Sequence, residues 1–288
     1  YPIAKKKDQA QVAWDDRHVR FKDLIKNDGA YQPVSIEPKE DIAVLQYTGG
    51  TTGSPKGAML THYNLWANTE QARAWFPTAK EGHERMMGVL PFFHVFAMTS
   101  VMNCGIRIGA EIIMLPRFEL EAVMQIIPKK KPTIFHGVPT MYVAIAGHRD
   151  ASSIDMTSIQ GCISGGAPLP VEVKRSFETI TGSIVVEGYG LSETSPVVCT
   201  NPTQGINKAG SVGLPLPGTI VEIHALDDDR ILGVGEKGEI CVRGPQVMRG
   251  YWNQPAETDN VMLPDGWLRT GDIGRIDARG FVFIEDRK

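Results

Sequence analysis

A segment rich in glycine and hydroxyl-bearing residues, between positions 47 and 57, has the composition of a phosphate-binding loop. Its sequence is Tyr-Thr-Gly-Gly-Thr-Thr-Gly-Ser-Pro-Lys-Gly. Glycines let the backbone turn tightly and bring its N–H groups close to an anion, hydroxyl groups add donors, and a lysine adds a compact positive charge. The pattern predicts polyphosphate binding by Thr48, Gly49, Gly50, Thr51, Thr52, Gly53 and Lys56.

The spacing within this loop separates it from the common nucleotide-binding loops. A Walker A loop places Gly directly before its lysine and Ser or Thr directly after it. Here Pro55 precedes Lys56 and Gly57 follows it, so an ordinary P-loop nucleotidase is disfavoured. A surface turn that binds no ligand is the alternative for a short pattern of this kind.

A second segment, residues 187–194, combines groups that suit a purine, a phosphate and a metal ion. Its sequence is Glu-Gly-Tyr-Gly-Leu-Ser-Glu-Thr. Tyr189 could stack on a purine, Ser192 and Thr194 offer hydroxyls, and Glu193 offers a carboxylate. Mg²⁺ binds through one or two carboxylates together with phosphate oxygens and water, so one glutamate is sufficient. Taken alone, a glutamate such as Glu193 is more often an acidic residue that complements the dipole at a helix start.

Two further segments limit the chemistry that the chain could perform. Residues 164–168, Ser-Gly-Gly-Ala-Pro, lack the G-x-S-x-G pattern, which disfavours a nucleophilic serine. His94 lies among Phe92, Phe93, Val95, Phe96, Met98, Val101 and Met102. These apolar neighbours include no aspartate that could hold an α-amino group, so an amino-acid substrate is disfavoured. A hydrogen-bonded core histidine is the alternative for His94.

The elements that must position these segments alternate regularly from Asp41 onwards. We predict strands at 42–47, 86–90, 110–115, 133–136, 159–164 and 183–187, and helices at 62–75, 95–106, 119–128, 139–147 and 170–181. Near-continuous apolar strands indicate a mostly parallel, doubly wound α/β sheet with helices on both faces. Ligands bind at the carboxyl ends of strands in such sheets, and all these segments follow predicted strands.

The pattern changes after about residue 205 to short strands separated by glycines, at 211–213, 220–223, 238–242 and 281–284. This spacing predicts a small, β-rich, barrel-like subdomain. We therefore divide the chain into a linker or end of an upstream subdomain (1–40), an α/β nucleotide- and acyl-binding subdomain (41–205), the β-rich subdomain (206–285), and the start of a hinge (286–288).

These motifs together resemble the signatures of the adenylate-forming superfamily, which contains acyl-CoA synthetases, firefly-type luciferases and peptide-synthetase adenylation domains. The resemblance implies a metal-binding role for Glu193, an acyl-carboxylate and α-phosphate contact for His94, and ribose contacts for Asp272 and Arg287. It also implies catalytic roles for Thr48, Thr51, Thr52 and Lys56. The remaining residues implied to bind nucleotide are Gly165, Gly166, Ala167, Glu187, Gly188, Tyr189, Gly190, Ser192 and Thr194.

Within the superfamily, residues 91–99 and 244–252 look most like bacterial fatty-acid CoA ligases. The resemblance implies ATP, Mg²⁺, CoA and a fatty acid as ligands, with acyl-CoA, AMP and diphosphate as products. A ligase for an aryl or short-chain acid and a non-catalytic binding module are the alternatives. The chain ends where the superfamily's hinge begins, so we expect this piece alone to have little or no activity.

Composition excludes several other classes of protein. The net charge of −3 and a pI near 6.2 give no electrostatic case for nucleic acid. The four cysteines are far apart and show neither zinc-ligand nor disulfide spacing. We expect a cytoplasmic protein, with peripheral attachment of the longer parent protein to the inner membrane face left open. The uncharged stretch 86–106 is interpreted as core, because it contains Pro91, His94 and Asn103.

Overall fold

The computed structural model describes residues 15, 18–26, 28–29, 32–48, 55–228 and 230–288. The chain forms two compact units, residues 1–36 and 37–288. In the first unit the described residues include one short helix, α1 (Phe21–Leu24). The second unit holds the predicted motifs. Of these, Gly49, Gly50, Thr51, Thr52 and Gly53 lie outside the described residues. The subdomain boundaries inferred from the sequence remain a prediction.

A seven-stranded sheet is the centre of the second unit, with the strand order β4-β3-β5-β6-β7-β8-β9. The first five strands of this order pair in parallel. At one edge, β8 pairs antiparallel with β7, and β9 pairs antiparallel with β8. Their bounds are β3 (Arg85–Gly88), β4 (Glu111–Met114), β5 (Ile134–Gly137), β6 (Gly161–Ser164), β7 (Ile184–Gly190), β8 (Val197–Thr200) and β9 (Leu214–Pro215). The predicted mostly parallel α/β fold is confirmed.

Helices cover both faces of this sheet. Successive residues of a strand point to opposite faces, so neighbouring residues pack against different helices. Met87 and Phe135 belong to a core formed with α5, α6 and α7, whereas their neighbours Met86 and Ile134 pack against the helical segment that begins at Val95. The helix bounds are α2 (His62–Trp75), α3 (Val95–Ala97), a π-helical stretch (Met98–Asn103), α4 (Cys104–Arg107), α5 (Leu120–Lys130), α6 (Pro139–Ala146) and α7 (Val171–Thr181).

The first predicted strand, at 42–47, exists but does not belong to the parallel sheet. Its assignment to that sheet was wrong. Instead β1 (Ile42–Thr48) pairs antiparallel with β2 (Lys56–Thr61), from Ile42 opposite Thr61 to Thr48 opposite Lys56. The glycine-rich loop therefore connects two strands of a hairpin. Helix α2 starts at the other end of that hairpin, where Thr61 caps it. The apolar run of β1 could not reveal its partner, since the pairing depends on β2.

The C-terminal part, predicted as a small, β-rich, barrel-like subdomain, forms a four-stranded antiparallel sheet in the order β10-β11-β12-β13. Its strands are β10 (Ile220–His224), β11 (Gly238–Arg243), β12 (Leu268–Ile276) and β13 (Val282–Arg287). This part also contains α8 (Pro255–Val261) and the 3₁₀ turn Pro264–Gly266, whereas the 3₁₀ turn Ser192–Thr194 lies between β7 and β8. One shared core joins this sheet to the β1–β2 hairpin, through residues such as Val242 and Leu60. Among the described helices, none is both long and apolar enough to cross a membrane.

Candidate functional site

The predicted motifs meet in one open cleft of about 1430 Å³. The cleft lies between the carboxyl ends of β6 and β7, the β1–β2 hairpin and the β12–β13 strands. Parallel strands end at one edge of a sheet, which explains why the segments that follow them converge. The predicted site residues that line the cleft are Thr48, Lys56, His94, Gly165, Gly166, Ala167, Glu187, Gly188, Tyr189, Gly190, Ser192, Glu193, Asp272 and Arg287.

Thr194 is the described member of the predicted set that does not line the cleft. Its side chain is fully buried, and its hydroxyl accepts a hydrogen bond from the backbone N–H of Leu191 at 3.0 Å. The same hydroxyl donates to the carbonyl of Pro196. In this position Thr194 stabilises the 3₁₀ turn that carries Glu193.

Asp272 and Tyr189 form a hydrogen-bonded pair at one end of the cleft. The Tyr189 hydroxyl donates to Asp272 Oδ2 at 2.6 Å, and the Arg287 guanidinium Nε lies 3.8 Å from Asp272 Oδ1. Burial, reinforced by the Asp272 carboxylate, raises the pKa of Tyr189 well above its ordinary value. The phenol therefore stays protonated and acts as a donor. Arg287 is 70% exposed and remains accessible to a ligand.

Lys56 lies at the first residue of β2, directly after the glycine-rich loop. Its ammonium group pairs with the carboxylate of Glu257 on α8 and lies 5.3 Å from the centre of the Tyr251 ring. The Lys56 side chain is 22% exposed, and the Glu257 side chain is 42% exposed. An anion entering the cleft therefore meets a lysine that already has a carboxylate partner.

Glu193 projects from the turn after β7 and is held by Tyr251, whose hydroxyl donates to Glu193 Oε1 at 2.7 Å. Burial and the Glu193 charge raise the pKa of Tyr251, so this hydroxyl also stays protonated. No cluster of three or more His, Cys, Asp or Glu side chains that suits a metal ion occurs among the described residues. A single carboxylate nevertheless fits Mg²⁺ that arrives with phosphate oxygens and water, and Glu193 fits that role.

His94 lines the cleft together with a group of apolar side chains, which we call the apolar arm. It caps α3, with its Nδ1 accepting a hydrogen bond from the backbone N–H of Phe96 at 3.2 Å. Partial burial lowers the pKa of His94, because desolvation disfavours the imidazolium. The arm is lined by Leu90, Pro91, Phe93, Val95, Phe96, Val138, Met141, Ile163 and Leu169. Of the neighbours singled out in the sequence, Phe92 and Val101 pack in the core beneath it.

Glu187 occupies the last position at which β7 pairs with β6, opposite Ser164. Its Oε2 accepts a hydrogen bond from the backbone N–H of Leu169 at 3.3 Å. Burial raises the pKa of Glu187, and the charge of Lys174 partly offsets this effect. The carboxylate thus ties the loop after β6 to β7, and its position supports the shape of the cleft.

Gly190 occupies a position that admits no side chain. A Cβ atom there would lie 2.0 Å from the carbonyl oxygen of Pro196, a separation far below van der Waals contact. This close approach forms where β7 pairs with β8, just before the turn that carries Glu193. The glycine is therefore required by the geometry of the turn.

The family model for AMP-binding enzymes matches residues 2–252 of the chain. The chain belongs to this family. It is 53% identical, over 253 residues, to the long-chain-fatty-acid–CoA ligase of Bacillus subtilis (strain 168), a match that covers 88% of this chain and 45% of the relative. The chain thus spans about half the length of the curated relatives it matches.

Two solved structures share the fold of this chain. The ATP-bound structure of MatB from Rhodopseudomonas palustris has a TM-score of 0.82 at 31% identity, over 90% of this chain and 50% of that one. The O-succinylbenzoate coenzyme A synthetase MenE from Bacillus subtilis, in complex with AMP, has a TM-score of 0.78 at 29% identity. That match covers 87% of this chain and 50% of MenE. The first of these structures contains ATP and the second contains AMP.

Two residues of the cleft region were missed by sequence reasoning, Tyr251 and Glu257. Tyr251 belongs to the segment 244–252. In the sequence this segment indicates only a resemblance to bacterial fatty-acid CoA ligases, which gives Tyr251 no role. Glu257 lies on α8, which was not predicted. Their contacts with Glu193 and Lys56 span 58 and 201 positions of the chain. No local pattern encodes contacts of that length, so only the tertiary structure reveals them.

Proposed function

We propose that this chain is the nucleotide- and acyl-binding part of an acyl-CoA synthetase that activates fatty acids with ATP. The observation that carries the proposal is the single cleft that brings together Asp272, Lys56, Glu193 and the apolar arm beside His94. One end of this cleft offers hydrogen-bond acceptors for a sugar, the middle offers groups for phosphate, and the arm suits a hydrocarbon chain.

The proposed reaction has two steps. A fatty-acid carboxylate oxygen attacks the α-phosphorus of ATP, which forms acyl-AMP as diphosphate leaves. The thiolate of CoA then attacks the acyl carbon, which forms the thioester as AMP leaves. Catalysis of phosphoryl-type transfer depends mainly on positioning and on neutralising charge. We infer that this chain supplies much of the positioning.

Each group in the cleft has a proposed role. The Asp272 carboxylate accepts hydrogen bonds from the ribose hydroxyls, with Arg287 beside it. The ring of Tyr189 and the backbone at 165–167 border the adenine. Lys56 binds phosphate oxygens after it leaves Glu257. When bound to Glu193, Mg²⁺ would supply positive charge that neutralises the phosphates.

His94 and the apolar arm favour a fatty acid as the acid substrate in this proposal. A neutral imidazole whose Nδ1 is held by the Phe96 backbone presents its other nitrogen to a carboxylate at the mouth of the arm. The aliphatic and aromatic walls of the arm stabilise a hydrocarbon chain by removing it from water. The 53% identity to a long-chain-fatty-acid–CoA ligase supports the same substrate class.

An aryl acid is the second candidate, since the structural neighbour MenE is an O-succinylbenzoate coenzyme A synthetase. The two candidates differ in the acid that fills the arm. Stable acyl-sulfamoyl-adenosine mimics, carrying either a long alkyl chain or an aryl group, separate them by calorimetry on the 288-residue chain. We expect the alkyl mimic to bind at least about tenfold more tightly, because each buried methylene contributes roughly 0.8 kcal/mol. Tighter binding of the aryl mimic would overturn the fatty-acid assignment.

A further inference from the structure

Tyr251 connects two groups of the cleft that have separate proposed roles. Its hydroxyl donates to Glu193 Oε1 at 2.7 Å, while the face of its ring lies 5.3 Å from the Lys56 ammonium. A cation within about 6 Å of a tyrosine ring centre is attracted by the ring quadrupole. One side chain thus contacts both the proposed metal ligand and the proposed phosphate ligand.

The backbone around Tyr251 is fixed on several sides. Its N–H donates to the Thr258 hydroxyl at 2.9 Å, and it forms an isolated antiparallel bridge with Ala58 of β2. The N–H of Trp252 donates to the carbonyl of Gly57 at 2.8 Å. The segment 248–252 therefore lies along β2, the strand that begins with Lys56.

The same segment also holds the main chain of Glu193. The N–H of Met248 donates to the Glu193 carbonyl at 2.8 Å. Backbone and side chain of Glu193 are thus both fixed by residues 248–251. Tyr251 is only 7% exposed, so water competes little for its hydrogen bond.

We propose that Tyr251 is a positioning residue, which holds Glu193 for Mg²⁺ and couples that carboxylate to Lys56. The hydrogen bond to Oε1 restrains the rotation of the carboxylate and leaves Oε2 for a metal ion. Mg²⁺ demands near-octahedral geometry, so a carboxylate of fixed orientation binds it better than a rotating one. Partners that orient a metal ligand typically change metal affinity by about 10- to 100-fold when they are removed. The proposal rests on the proposed function, because it needs a nucleotide in the cleft.

The test measures ATP binding to the 288-residue chain by calorimetry, with excess Mg²⁺ or with EDTA. Tyr251→Phe keeps the ring beside Lys56 and removes only the hydroxyl. We expect this variant to reduce the Mg²⁺-dependent gain in ATP affinity by about tenfold. ATP affinity in EDTA should change less than about twofold, since Lys56 keeps its contact with the ring.

Two further variants make the result specific. Glu193→Gln should abolish the Mg²⁺ dependence, and adding Tyr251→Phe to it should have no further effect, because interacting residues are not additive. Tyr63→Phe removes a phenol hydroxyl on α2, outside the cleft, and should leave the Mg²⁺ dependence unchanged. Thermal unfolding of each variant confirms that it is folded.

The outcomes separate the inference from the function on which it rests. If wild type binds MgATP with a Mg²⁺ dependence that Tyr251→Phe leaves intact, the positioning role is overturned and the proposed function stands. Equal weakening with Mg²⁺ and with EDTA would also overturn it, since that pattern indicates a general structural effect. A folded wild-type chain that binds no ATP under either condition contradicts the proposed function itself.

Discussion

Tyr189 and Asp272 lie 83 positions apart and belong to different sheets, yet the Tyr189 hydroxyl donates a hydrogen bond to Asp272 Oδ2 across 2.6 Å. Tyr189 lies near the end of β7 in the seven-stranded sheet, and Asp272 lies in β12 of the antiparallel sheet. The bond joins the two sheets across the cleft. It therefore ties the proposed adenine platform to the proposed ribose ligand before any nucleotide binds.

Removal of this bond should lower stability. Tyr189→Phe leaves the Asp272 carboxylate, which is 8% exposed, without its phenol donor. A buried polar group that loses its partner costs about 1–3 kcal/mol, and more if charged. We expect chemical denaturation to show that the free energy of unfolding falls by about 1–3 kcal/mol or more. The matched variant Tyr63→Phe, on α2, should change it by less than about 0.5 kcal/mol, and equal effects would contradict the interpretation.

The Lys56–Glu257 pair predicts a competition between protein carboxylate and ligand phosphate. Glu257→Gln removes the charge that a phosphate must replace, so ATP should bind about two- to fivefold more tightly. Lys56→Ala should weaken ATP by at least about tenfold, because a charge-assisted contact is lost. Calorimetry measures both effects. Glu119→Gln, at an exposed ion pair with Arg117, serves as control, and weaker ATP binding by Glu257→Gln would refute the competition.

Gly190 should tolerate no side chain. The new Cβ of Gly190→Ala would meet the Pro196 carbonyl oxygen at 2.0 Å, so either β8 or the Glu193 turn must move. We expect a destabilisation of more than about 2 kcal/mol, or failure to fold. Gly182→Ala offers the comparison, since Gly182 has a φ of +70° but a Cβ added there would have no atom within 4 Å. Gly182→Ala should cost about 1–2 kcal/mol, and a smaller cost at Gly190 would be inconsistent with the close approach.

Stability should fall with acidification because of His136. Its side chain is buried, and Nδ1 has no hydrogen-bond partner among the described residues. Burial lowers the pKa of His136 from 6.5 to about 4. Between about pH 4 and pH 6.5 the imidazole is protonated in the unfolded state but neutral in the folded state. The free energy of unfolding therefore rises with pH across this range, by roughly 3 kcal/mol in total. His136→Asn should remove this slope from pH-dependent denaturation curves, and an unchanged slope would contradict the assignment.

Local sequence signals, such as helix caps and apolar runs, predict individual helices and strands. The helix predicted at 62–75 matches α2, which runs over His62–Trp75 with Thr61 capping it. Apolar runs identify the parallel strands. By contrast, β1 was placed in the wrong sheet, and β8 was missed, because strand partners are chosen by tertiary packing. The π-helical turn at Met98–Asn103 likewise follows no local pattern that distinguishes it from an α-helix.

The candidate site was predictable to a similar extent. Motif spacing identifies residues such as Lys56, Glu193 and Asp272, and the fold brings them to one cleft. The interactions between them were not predictable. Tyr251 and Glu257 complete the site only because the segment 248–252 lies along β2 and α8 follows it. Such contacts depend on register, which one sequence does not encode locally.

The most direct measurement is calorimetric binding of a stable long-chain acyl-adenylate mimic to the 288-residue chain and to two variants. The mimic needs no metal, so Glu193→Ala should bind it nearly as tightly as wild type while losing affinity for MgATP. Asp272→Ala should weaken the mimic by about 10- to 100-fold, since hydrogen bonds to a charged group contribute about 1.5–3 kcal/mol. Asp155→Ala, at an exposed turn outside the cleft, should bind like wild type. A folded wild-type chain that does not bind the mimic, or equal binding by Asp272→Ala, would contradict a nucleotide and acyl site in this cleft.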